Sequence, residues 1–139
     1  MLKAGLRFPL SSLHHKLLQY LGLDVIQISS NAWRVFLSME VLYGAMFDGV
    51  RRLTVKEFLH YYHPDEIAQS KGMYSFVPRS PLLRLVCETP DSNRNWKSQY
   101  FFMEGDKWMC CPADTEHMPV DKTWGILSLS GMNSSIFSQ

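Results

Sequence analysis

At Gly72 the spacing of apolar residues changes from one period to another, and few folds accommodate both. Before it, Leu10, Leu13, Leu17, Tyr20 and Leu21 recur at the three-to-four-residue interval of a helix that buries one face. After it the helical interval disappears. Met73–Val77 and Leu83–Glu88 are short, rich in β-forming residues, and punctuated by Pro78, Pro81 and Pro90. Segregated helices followed by short strands predict an α+β fold, with N-terminal helices packed on a small, mainly antiparallel β-sheet.

The first helix has Ser11 or Ser12 as its cap and Gly22 as its stop. A linker, LDVIQISS, leads to Asn31, which is placed to cap a second helix over Ala32–Phe47. Only Arg34, Ser38 and Glu40 are strongly polar there, and a helix so apolar is expected to be covered on most sides. Asp48-Gly49 ends it. Thr54 and Glu57 have the spacing of a capping box, which opens a third helix with Phe58, Leu59 and Tyr62 on its buried face. Pro64 limits that helix, so the helical half is expected to end near His63.

Trp96–Met103 reads as a strand that starts with alternation and ends apolar on both faces. Glu104-Gly105-Asp106 is a hairpin connection, and Lys107–Cys111 returns. The expected core comprises Trp33, Phe36, Leu37, Phe58 and Phe76 from the first part, with Tyr100, Phe102 and Trp108 from the second. One domain over residues 1–126 follows, with the Ser-rich stretch 127–139 expected to be a disordered tail.

A chain of 139 residues is long enough for one self-sufficient core. Its net charge of +1 gives no global attraction to nucleic acid or anionic membrane. Cys87, Cys110 and Cys111 form no disulfide framework, which points to a reducing interior compartment. Pro9, Ser11, Ser12 and two histidines interrupt any apolar signal-peptide core, and no run approaches the roughly 18 apolar residues of a membrane span. The expected location is intracellular, cytoplasmic or nuclear, without membrane attachment. Asn133-Ser134-Ser135 matches a glycosylation acceptor but has no secretory route to use it.

Chemistry-bearing residues are sparse. His60 and His63 lie one helical turn apart with Asp65 and Glu66 after them, yet no third ligand follows at fixed spacing. Cys110, Cys111 and His117 lack the separation of a zinc knuckle. Gly-x-Ser-x-Gly, Walker, Gly-x-Gly-x-x-Gly and His-Glu-x-x-His patterns are absent. The reading assigns no catalytic, metal or cofactor-binding residue, no cofactor and no small-molecule substrate.

Charge is unevenly placed. Five bases between residues 71 and 97 face two acids, and they interleave with Tyr74, Phe76 and Trp96. Cations for phosphate and rings for bases make a single-strand platform. Arg79, Arg84, Arg94, Trp96 and Lys97 are therefore the candidate contacts for RNA or single-stranded DNA. The bland alternative turns the rings inward and leaves the arginines on loops. Between Glu104 and Asp121, five acids face Lys107 alone, so basic and acidic segments could pair within one chain or between copies. Self-association follows from the latter.

Five stretches carry a resemblance: NAWRVF (31–36), LTVKEF (53–58), YSFVPR (74–79), LVCETPDSN (85–93) and WKSQYFFMEGDKW (96–108). In this order they resemble the plant gypsy-type transposon domain, also labelled a gypsy-type transposase domain. The similarity runs from about Lys3 to Gly125. The resemblance implies a long-terminal-repeat retroelement origin, in the gag-like region that precedes the polyprotein's enzymes and is structural and RNA-associated. It carries across no catalytic residue. Relatives continue upstream of the Lys3–Pro9 stretch and differ after Ile126, so the chain reads as a fragment or a decayed reading frame. The expected function is a non-catalytic, gag-like structural or interaction module. The alternatives are nucleic-acid binding through residues 71–97, a metal-dependent transposase as the label suggests, and a reading frame without selected function.

Overall fold

The computed structural model describes residues 2–89. It consists of α1 (Ser12–Leu21), α2 (Ser30–Met46), α3 (Val55–Tyr61), β1 (Tyr62–Glu66) and β2 (Tyr74–Pro78). Short 3-10 turns lie at Leu2–Ala4, Val25–Gln27 and Pro81–Leu83. The two strands pair antiparallel, with Pro64 opposite Phe76, and the helices precede them in the chain. The α+β architecture is present within these residues.

Each helix begins and ends for a local reason. The Ser11 hydroxyl accepts from the His14 N–H and opens α1. At its other end Gly22 has φ +66, a left-handed conformation that glycine adopts without Cβ strain. The Gly22 and Leu23 amides then donate back to the Gln19 and Leu18 carbonyls, closing the exposed end of the helix. Thr54 and Glu57 cap α3 reciprocally, as their spacing predicts.

The start of α2 differs from expectation. Ser29, not Asn31, is the cap, its hydroxyl accepting from the Ala32 N–H at 3.1 Å. The Ser29 N–H is itself held at 2.9 Å by the Tyr74 carbonyl, which keeps that residue extended and moves the helix start forward. The Asn31 side chain instead accepts from Arg34 at 2.6 Å.

The third helix also stops earlier than His63. Pro64 disfavours helical backbone at the residue before it, and Tyr62 is already extended. Residues 62–66 pair with β2 rather than finishing a helix. A two-stranded ribbon leaves an open edge on each strand, where a proline without an N–H is tolerated. Leu83–Glu88, expected as a strand, enters no ladder. The Leu85 and Val86 amides donate instead to the Tyr62 hydroxyl, at 3.2 and 3.0 Å.

The core is enclosed by α1, α2, α3 and β2, with Leu17, Leu18 and Leu21 of α1 in the same buried cluster. Phe58 is fully buried at its centre, edge-on to Phe36 at 4.7 Å and to Phe76 at 4.8 Å, and stacked on Tyr62 at 5.4 Å. Offset and edge-on rings add about 0.5–1.5 kcal/mol per pair beyond the burial itself. Trp33 extends the cluster and donates its indole N–H to the Val25 carbonyl at 3.3 Å. Trp33, Phe36, Phe58 and Phe76 are thus core as expected, whereas Leu37 is only half-buried. Tyr100, Phe102, Trp108, the strand and hairpin expected over 96–111, and the tail 127–139 lie outside the described residues. Among the described residues no helix is long and apolar enough to cross a membrane.

Candidate functional site

The basic and aromatic segment begins in the turn between the strands and continues past β2. The turn is tight: Ile67 N–H donates to the Met73 carbonyl, and Gly72, at φ +81, donates to the Glu66 carboxylate at 2.7 Å. Its outer face presents Lys71 to solvent. The buried side is held by Gln27, whose side-chain amide donates to the Gly72 carbonyl at 3.0 Å. Gln27 is fully buried, so that bond joins the linker before α2 to the β-hairpin in a site where an unmet amide would be costly.

The structure separates the two described candidate arginines. Arg79 is half-buried, with its Nε donating to the Leu59 carbonyl at 2.6 Å and its backbone N–H donating to the Tyr61 carbonyl at 2.9 Å. A cation on the last carbonyls of a helix is favourable, so this side chain fastens β2 to the end of α3. Arg84 lies exposed just beyond the 3-10 turn. Of the interleaved rings, Phe76 is buried against Phe58 and Tyr74 is half-buried. Arg94, Trp96 and Lys97 lie outside the described residues.

A second feature had no signal in the linear spacing. Tyr43, Phe47, Arg51, Glu57, His60 and Tyr61 converge on a groove of about 400 Å³ between the end of α2 and α3. The Arg51 guanidinium stands 5.1 Å over the Phe47 ring and bonds the Glu57 carboxylate. Burial pushes the Tyr43 hydroxyl up to about 12, with the neighbouring Tyr61 adding to the effect. Burial works against ionisation of Glu57 too, but hydrogen bonds from Thr54 and Arg51 outweigh it and hold the carboxyl below its ordinary value. Glu57 is thereby committed to its cap and its ion pair. Tyr43 keeps its proton through the physiological range. Neither is poised as a general base near neutrality.

His60 lies in the last turn of α3 while His63 belongs to β1, so the expected one-turn relation between them is not formed. Among the described residues no group of three or more His, Cys, Asp or Glu side chains could hold a metal ion. Cys87 is exposed; Cys110, Cys111 and His117 fall outside the described residues. No family model matches the chain, and no curated protein or solved structure matches it.

Proposed function

We propose that this chain is a non-catalytic, gag-like structural or interaction module derived from a plant long-terminal-repeat retrotransposon. The observation that carries the reading is where the resemblance motifs go. Three of the five lie within the described residues, and they contribute Trp33 and Phe36, Phe58, and Phe76 to one aromatic cluster. Motifs spent on packing support a part that holds a shape and meets partners. The charged side chains near them make caps and hairpin fastenings: Glu57 on Thr54, Arg79 on Leu59.

A gag-like part assembles with itself. Light scattering behind size exclusion on the full chain, at low and moderate salt, tests this. A discrete oligomer that loosens with salt supports the reading, and a monomer at both salts counts against it. Nucleic-acid binding is the second reading, favoured by the exposure of Lys71 and Arg84. It expects a labelled single-stranded RNA to bind at low salt and to weaken with Arg84→Ala; no binding at low salt removes it.

A further inference from the structure

We propose that the groove between the end of α2 and α3 binds a small planar aromatic molecule that carries an oxyanion, either a carboxylate or a phosphate. This inference goes beyond the functional reading above and does not depend on it.

The walls set the shape of the ligand. The Phe47 ring is tilted against Tyr43, with centroids 5.6 Å apart, and Tyr61 of α3 lines the same groove. Leu42, Met46 and Leu85 add aliphatic surface. Such walls favour a flat apolar body, which meets rings offset or edge-on. A volume of about 400 Å³ lies toward the small end of small-molecule sites, so it suits one ring or two fused rings.

The hydrogen-bonding groups set its charge. Among the described residues Glu57 is the one acid lining the groove, and its acceptor oxygens are already engaged. One carboxylate oxygen accepts from the Thr54 N–H and hydroxyl, each at 2.9 Å, and the other accepts from Arg51. Arg51 uses only part of its fork there. Its remaining N–H donors meet no acceptor among the described residues, and the side chain is 57% exposed. The Phe47 ring, 5.1 Å below, holds that fork at the groove instead of leaving it free in solvent. His60 is exposed on the same groove, edge-on to Tyr61 at 5.1 Å, and adds a further N–H without an acceptor among the described residues. Donors are in surplus and acceptors are spent, so the ligand supplies acceptors. A carboxylate or phosphate matches the planar fork in two parallel bonds, whereas an uncharged ring fills the walls and leaves the fork to water.

An NMR titration of the full chain with naphthoate and with adenosine monophosphate tests the proposal, with naphthalenemethanol and adenosine as the uncharged counterparts. At least one anion should bind with a Kd of about 1 mM or tighter. It should shift amides of residues 42–47, 51 and 57–61, and its uncharged counterpart should bind at least about fivefold more weakly. Binding of naphthoate alone identifies a carboxylate ligand and binding of the monophosphate alone a phosphate ligand, and either supports the proposal. Arg51→Gln should abolish the preference for the anion. Lys16→Ala, which removes an exposed cation from α1, should leave it intact. The proposal is overturned if neither anion binds, if the shifts fall outside the groove, if the uncharged counterpart binds equally, or if Arg51→Gln keeps the preference. Should Arg51→Gln lose amide dispersion, Arg51→Lys carries the comparison: it keeps the charge but not the fork, and an undiminished preference overturns the proposal.

Discussion

The Nε2 of His14 lies 2.8 Å from the Glu40 carboxylate and joins the first turn of α1 to the middle of α2. The Ser11 N–H donates to the other ring nitrogen at 3.4 Å, so Nδ1 is the acceptor and Nε2 carries the hydrogen toward Glu40. The same ring packs edge-on against Trp33 and Phe36, each at 5.7 Å. One buried side chain thus serves as cap, as link between helices and as packing. His14→Ala should destabilise the chain by roughly 2–3 kcal/mol in urea unfolding. A double-mutant cycle with Glu40→Ala should return a coupling of about 1 kcal/mol, and strict additivity would show that the bond contributes nothing net.

Phe58 is the point at which helix α2, helix α3 and the hairpin meet. Phe58→Ala removes a fully buried ring with three aromatic neighbours and should cost about 3–5 kcal/mol. The check is the denaturation midpoint. A variant that melts like the wild type would contradict the central position of this ring.

The Tyr62 hydroxyl is the acceptor for two consecutive backbone amides, Leu85 and Val86. Tyr62→Phe keeps the ring stacked on Phe58 and removes both bonds. It should cost about 1–2 kcal/mol. Amide exchange should accelerate at residues 85 and 86 first, because the buried cluster beneath is left intact. Uniform acceleration across α2 would indicate loss of core packing instead.

Stability should fall at both ends of the pH scale, for opposite reasons. Glu57 is held below its ordinary value of 4.5 by Thr54 and Arg51 despite the opposing effect of burial. Its contribution is present above that pH and is lost as pH falls through the lower folded value. Glu57→Gln should flatten the acid limb. Tyr43 is raised from 10.0 to about 12, mainly by burial, so the unfolded chain loses this proton first as pH rises. Its contribution is present below pH 10 and disappears as pH climbs toward 12, and Tyr43→Phe should flatten the alkaline limb. Unfolding midpoints measured across pH in the three proteins decide both. Parallel curves in wild type and variant would contradict the assignment.

Local chemistry accounts for what could be read without coordinates. Ser11, Gly22, Thr54 and Glu57 act within one turn of their own position, so their roles follow from neighbours in the chain. The burial of Trp33, Phe36, Phe58 and Phe76 follows from size and spacing. Arg79 was a different case. A cation among aromatics has the composition of a phosphate contact, and only the approach of β2 to the end of α3 gives its Nε the Leu59 carbonyl.

By itself the sequence determined the three helices, the caps of α1 and α3, the stop at Gly22, the burial of Trp33, Phe36, Phe58 and Phe76, and the strand that follows Gly72. These depend on bonds and periodicities spanning a few residues. Tertiary structure alone decided that Ser29 caps α2, because Tyr74, 45 residues away, holds the Ser29 amide. It decided that residues 62–66 form a strand, because β2 supplies the ladder that Pro64 denies to a helix. It also decided that His14 reaches Glu40 and Gln27 reaches Gly72. Those partners stand 26 and 45 positions apart in the chain, and nothing in local spacing can pair groups that meet only after the helices have packed.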